Sequence, residues 1–238
     1  MNLKNTVRKG IKDVWWRPYM VSGAKFSNDN DIPFCPTKVF EMPIMIITYK
    51  EAKEIYRKEI RKGNKEFIHF AYVCFYEDDH EFDSIFGIWF RSQKAYDILN
   101  HFSGIITPDF STYQDFPYPL KLWNTYRMRA FGYWYGVICN GNVINNVRWG
   151  TPETYKYCFD GIPKNSIVAI GTVGGSPRKL ADRARFEEGL DEMIRRLSPH
   201  TIIIYGSSNY ECFKKLEKQG ITIIAYPGKT SMLFAGRT

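Results

Sequence analysis

From residue 67 onward, short apolar runs alternate with longer segments of helical periodicity, and this rhythm confines the chain to a small set of folds. Residues 67–75 (Phe-Ile-His-Phe-Ala-Tyr-Val-Cys-Phe) form a continuous run of strand length and strand composition. Beyond it the spacing predicts helix over 91–102, strand over 104–107, helix over 120–136, strand over 143–148, a short helix over 152–158 and strand over 166–171. Helix over 177–197, strand over 201–205, helix over 210–218 and strand over 221–226 complete the series. Strands covered on both faces read as unbroken apolar runs, and parallel neighbours need a crossover long enough to hold a helix. The expected class is therefore α/β: repeated strand–helix units with a mostly parallel sheet, in either a (β/α) barrel-like or an open doubly wound arrangement.

Local signals agree with this pattern. In the longest helical segment Ser176 suits the N-cap and Pro177 the first turn, while Phe186, Leu190, Met193, Ile194 and Leu197 make one apolar stripe that Pro199 ends. Residues 50–62 carry Ala52, Ile55, Tyr56 and Ile60 at helical spacing and stop at Gly63. Residues 1–48, with Trp15, Trp16, a polar stretch at 27–31 and Pro33, Pro36 and Pro43, read as an irregular lead-in packed on the core. Residues 49–238 then make a single α/β domain, which suits a chain of 238 residues.

The balance of 33 Lys and Arg against 25 Asp and Glu gives a charge of +8, which favours polyanionic partners, with nucleic acid first among them. The basic residues are spread along the chain, so plain solubility charge is the other reading. No apolar run approaches the ~18 residues a membrane span needs, and the first ten residues lack the apolar middle of a signal peptide. The expectation is a cytoplasmic protein with no membrane partner. Cys35, Cys74, Cys139, Cys158 and Cys212 are scattered without a C-x-x-C pair, as expected of reduced, mostly buried thiols and not of a metal site.

In either α/β arrangement ligands bind beyond the carboxyl ends of the strands. The residues there are Asp109 and Ser111, Arg148 and Trp149, residues 172–178, Ser207 and Ser208, and the 227–229 turn. The turn Gly171-Thr-Val-Gly-Gly-Ser-Pro-Arg178 is the most suggestive. Gly171, Gly174 and Gly175 let backbone N–H groups approach a ligand, Thr172 and Ser176 add hydroxyls, and Arg178 adds charge at a helix start. It fits neither the Walker spacing nor the dinucleotide fingerprint, so no cofactor is indicated, and a purely structural strand-to-helix turn is an equal reading.

Arg148 beside Trp149 would hold a phosphate or base by pairing and stacking, unless a neighbouring acid takes the arginine. Asp109 and Asp160 are the carboxylates placed for acid–base work, although Asp160-Gly161 is also an ordinary turn dipeptide. Arg127 and Arg129 sit among aromatics, as in a single-stranded nucleic-acid groove, while Trp123, Tyr126, Ala130, Phe131 and Trp134 equally fit a core-facing stripe. The acidic run 77–81 reads as a solvated loop, because consecutive side chains on a turn diverge. His69, His80, His101 and His200 adjoin no nucleophile turn, which disfavours a Ser/His/Asp hydrolase.

Six motifs in order, Thr107-Pro-Asp-Phe-Ser111, Leu122-Trp-Asn-Thr-Tyr-Arg127, Asn146-Val-Arg-Trp149, Cys158-Phe-Asp-Gly-Ile-Pro163, Ile170-Gly-Thr-Val-Gly174 and Ile204-Tyr-Gly206, resemble an uncharacterised domain family of bacteriophages, prophages and other bacterial mobile elements. The resemblance covers roughly residues 30–226 and implies a mobile-element origin and a bacterial cytoplasmic setting, with no assigned reaction. Together these features suggest an α/β protein that binds a phosphorylated ligand, either a nucleotide or a nucleic-acid backbone, at the strand ends, with or without catalysis. The alternative is a non-enzymatic protein acting on nucleic acid or on a host defence protein.

Overall fold

Each apolar run becomes a strand, and every strand lies beside its neighbours in sequence. The computed structural model describes residues 15–173 and 180–228. Among these, β1 (Ile46–Thr48), β2 (His69–Cys74), β3 (Phe102–Ile106), β4 (Val143–Asn146), β5 (Ile167–Gly171), β6 (Thr201–Tyr205) and β7 (Thr222–Tyr226) form one sheet in the order β1-β2-β3-β4-β5-β6-β7. All six pairings are parallel. A strictly sequential order is the barrel option and excludes double winding, because right-handed crossovers that never reverse direction leave every helix on one face. The sheet curls into an open half-barrel whose edges are β1 and β7.

Alternation along the strands separates the two faces. Ala71 and Val73 of β2 and Ile202 and Ile204 of β6 pack towards the helices, in two clusters that meet α1 (Tyr49–Arg61), α2 (Ser92–Leu99), α3 (Tyr118–Tyr133), α4 (Leu180–Leu197) and α5 (Glu211–Lys218). Ile46, Tyr72, Cys74, Tyr76, Ile106, Ile144, Ala169, Ile203 and Tyr205 fill the concave side. Tyr226 joins them, and its hydroxyl donates to the Pro43 carbonyl, a tie across the open seam between β7 and the approach to β1.

The 1–48 segment is more structured than its composition suggests, since its last three residues are β1. A three-residue strand is too short to show periodicity, so it is invisible to pattern reading. Upstream, Lys38 exchanges backbone hydrogen bonds with Val143 (2.9 and 2.8 Å), and Thr37 Oγ1 donates to the Ile167 carbonyl. This stretch therefore crosses the starting ends of β4 and β5. Its partner on the helix side is α3, which is buried on nearly every side and ends in a π turn over Trp134–Ile138. Burial pushes the Cys35 thiol up to about 12 and the Cys158 thiol likewise to about 12, as expected of inert core thiols. No described helix is long and apolar enough to cross a membrane.

Candidate functional site

The strand ends gather a polar network under a partly exposed arginine. Beyond β4, alternation sends Val147 into the helix-side cluster, Arg148 to the rim, and Trp149 outward again, against Phe159 and Phe186. Arg148 Nη1 donates to Asp109 Oδ2 at 2.7 Å, and Asn146 Nδ2 donates to Asp109 Oδ1 at 2.8 Å. Asn146 Oδ1 in turn accepts from the Tyr76 hydroxyl at 2.9 Å. The chain Tyr76–Asn146–Asp109–Arg148 thus runs from the concave interior to the surface. Asp109 is 7% exposed, whereas the Arg148 side chain keeps 32% of its surface.

The interior end of the network is clamped by packing. Tyr76 stacks on Tyr205 with ring centroids 5.5 Å apart. Gly171 at the end of β5 makes room for that ring, because a Cβ there would lie 2.6 Å from Tyr76 Cδ1. This gives the glycine its reason without any ligand, through close approach and not through an unusual backbone angle. Thr172 is buried, with its N–H on the Tyr205 carbonyl and its hydroxyl on the Ser207 carbonyl. Ser207 is exposed and its hydroxyl caps the Asn209 N–H.

Around this core the rim is acidic. Glu77, Asp78, Asp79, Glu81 and Asp83 follow β2, and among the described residues Lys50 and Lys53 share Glu81, Arg127 takes Asp83, and Arg148 takes Asp109. Burial raises the Asp79 carboxyl above its ordinary range despite two bonds from Ser111, and it raises Glu77 as well. Hydrogen bonds from Lys50 and Lys53 pull Glu81 down to about 2. Burial holds the Tyr76 phenol well above its usual value, and the charge of Asp109 raises Arg148 further, so both stay protonated. A cavity of about 200 Å³ opens here, lined by Thr48, Lys50, Tyr76, Glu77, Val173 and Tyr205 among others. No cluster of acids, cysteines and histidines suited to a metal ion occurs among the described residues.

The structure brings Asp109 and Arg148 together, sets Gly171, Thr172 and Ser207 near the Tyr76–Tyr205 pair, and holds Trp149 and Asp160 apart from them. Trp149 faces away from Arg148, because adjacent residues of an extended chain point to opposite sides, so the two cannot grip one ligand. Asp160 lies towards the other end of the sheet: its carboxylate accepts from Asn30 Nδ2 at 2.9 Å and borders a cleft with Lys164 and Leu197, which precede β5 and β6. Gly174, Gly175, Ser176 and Arg178 lie outside the described residues. Arg127 and Arg129 are 6% and 0% exposed, which corrects their reading as nucleic-acid contacts. Arg127 makes a two-pronged pair with Asp83 over the Phe110 ring, and Arg129 donates to the carbonyls of Asn146, Cys158 and Asp160. Among the described residues the hydrogen-bond partners of Arg129 are backbone oxygens alone, and burial lowers its guanidinium to about 10.

Tyr76 and Asn146 were not singled out from the sequence. Asn145-Asn146 inside an otherwise apolar strand was the available signal, since a buried amide must find partners. Tyr76 carried none, as it merely extends an aromatic run. Asp109 accepts one hydrogen bond on each oxygen, from Asn146 and from Arg148, and so links the buried amide to the rim arginine.

The model of the family described as "Domain of unknown function (DUF4417)" matches residues 27–227, so the chain belongs to that family. Relatives include the "Gene 1 protein" of Mycobacterium phage D29, 34% identical over 139 residues covering 57% of this chain and 48% of the relative. The "Gene 1 protein" of Mycobacterium phage L5 is 37% identical over 135 residues, covering 56% of each. The chain thus spans about half the length of the curated relatives it matches. These matches bear out the resemblance to an uncharacterised phage family. No solved structure matches.

Proposed function

We propose that this phage-associated DUF4417 protein binds a small phosphorylated ligand at the carboxyl ends of its strands, with Arg148 as the anion contact. The observation that carries this reading is the tether beneath that arginine: a buried carboxylate, held by Asn146, which Tyr76 holds in turn, fixes an arginine whose side chain keeps about a third of its surface. A guanidinium has five donors in a rigid fork, so after pairing with Asp109 it retains donors for an incoming oxyanion. The acidic surroundings narrow the ligand class. Carboxylates outnumber cations on the loops after β2 and β3, so a polyanion meets a repulsive field, whereas a single phosphoryl group reaches Arg148 without crossing it.

The test is a thermal-shift panel of inorganic phosphate, mononucleotides and sugar phosphates. A member of the panel should raise the melting temperature of the wild-type protein, and Arg148→Ala should abolish the rise. Arg178→Ala asks whether the glycine-rich turn contributes. A panel with no shift, or a shift indifferent to Arg148→Ala, contradicts the reading.

A further inference from the structure

A second concavity of opposite character lies at the far end of the sheet. It is an open cleft of about 410 Å³ between the lead-in, the turn that carries Asp160, and the last turn of α4, and its walls include Phe34, Phe159, Lys164, Arg195 and Arg196. The frame is built by close contacts. Gly161, with φ +72°, accepts from the Cys35 N–H at 2.8 Å, and a Cβ on it would sit 2.3 Å from the Pro33 carbonyl. Asn165 N–H donates to the Leu197 carbonyl at 2.8 Å, tying the turn to α4. Asn30 Nδ2 bridges the Lys156 carbonyl and the Asp160 carboxylate, which fixes that acid against the lead-in.

Three cations line the cleft. Arg195 and Arg196 are held side by side by Glu192, whose carboxyl they pull down to about 2, and the Arg196 guanidinium lies over the Phe159 ring at 5.6 Å. Counting Glu192 and Asp160 against Lys164, Arg195 and Arg196 leaves the cleft positive, the reverse of the strand-end rim. Phe34, on the lead-in side, keeps 43% of its surface in solvent.

We propose that this cleft binds a nucleotide unit, with the phosphate on Lys164 and Arg195 and the base stacked on Phe34. Cationic side chains beside an exposed ring are the two elements single-stranded nucleic acid requires, because every base presents a π face and every phosphate a charge. The volume suits a nucleotide. The same chemistry arises from a free nucleotide or from one within a strand. The proposal does not depend on the rim site.

The experiment is fluorescence anisotropy of the whole chain with a short labelled oligothymidylate, with thymidine monophosphate as competitor. Wild type should bind with a marked salt dependence, and Lys164→Ala/Arg195→Ala should weaken binding at least tenfold and flatten that dependence. Phe34→Leu keeps an apolar side chain at the lead-in and should still weaken binding about tenfold by removing the stack. Competition by the monophosphate assigns the site to free nucleotides, and failure to compete assigns it to strands. Absence of binding by both probes, or binding untouched by the double variant, overturns the proposal. Loss of binding in Arg148→Ala also overturns it, by moving the ligand to the rim.

Discussion

The two ends of the half-barrel carry arginines under opposite regimes. At the strand ends Arg148 is supported from below by a buried chain of polar groups in an acidic field, while at the α4 end Arg195 and Arg196 share one half-buried acid in a basic field. The first arrangement is costly to perturb, because its groups are buried and mutually satisfied. The second is held by surface ion pairs, each worth about 0–1 kcal/mol. Preorganisation and net charge are therefore divided between the two ends, one specifying geometry and the other attracting charge.

The largest test of that contrast is Asp109→Ala. It strips the acceptor from both Asn146 and Arg148, and should cost about 2–4 kcal/mol in denaturant unfolding. A loss within error of zero would mean that the network is not structural. Next is Gly171→Ala, whose methyl group collides with the Tyr76 ring; overpacking of this kind costs about 1–3 kcal/mol, and the same melt should show it. Tyr76→Phe leaves one buried Asn146 oxygen unsatisfied and should cost about 1 kcal/mol.

A smaller effect has a pH signature. Because burial raises the Asp79 carboxyl, the folded state binds its proton more tightly than the unfolded one does, and stability falls as pH climbs from the unfolded to the folded pKa. The deficit is fully present above that window. Asp79→Asn should thus raise the melting temperature at neutral pH, with a gain that fades as pH falls from the raised folded pKa and is gone below the ordinary aspartate range. A gain that persists in acid would place its cause elsewhere. At the opposite end, Glu192→Gln should change stability by less than about 0.5 kcal/mol while tightening oligonucleotide binding, since it removes an acid from exposed ion pairs.

The helices and most strands were legible because periodicity records which face is buried, and β6 matches its predicted span of 201–205. Strand order was not legible: the same strand–helix unit builds singly and doubly wound sheets, and nothing local tells a crossover which way to turn. Asp109 and Arg148 were recognisable from their position after strands. Their pairing was hidden, as it depends on the parallel register that sets Ile105 opposite Val143 and Ile106 opposite Ile144. The arginines of α3 misled for a related reason. Aromatic and basic residues interleaved on a helix describe a groove or a core equally well, and α3 is a core helix because the lead-in covers the side that would otherwise face water.

The tie between Tyr226 and Pro43 bears on how the chain folds. Every strand pairs with the strand next to it in sequence, so each addition to the sheet closes only a local loop, and assembly can spread from any nucleus much as it does in a repeat protein. Ties from the lead-in to β4 and β5 are less local, and the seam reaches further still, since its hydrogen bond joins residues 183 apart. It becomes possible only once the curl is complete, which makes it a late event in folding, and its loss by Tyr226→Phe should speed unfolding while leaving the folding rate nearly unchanged.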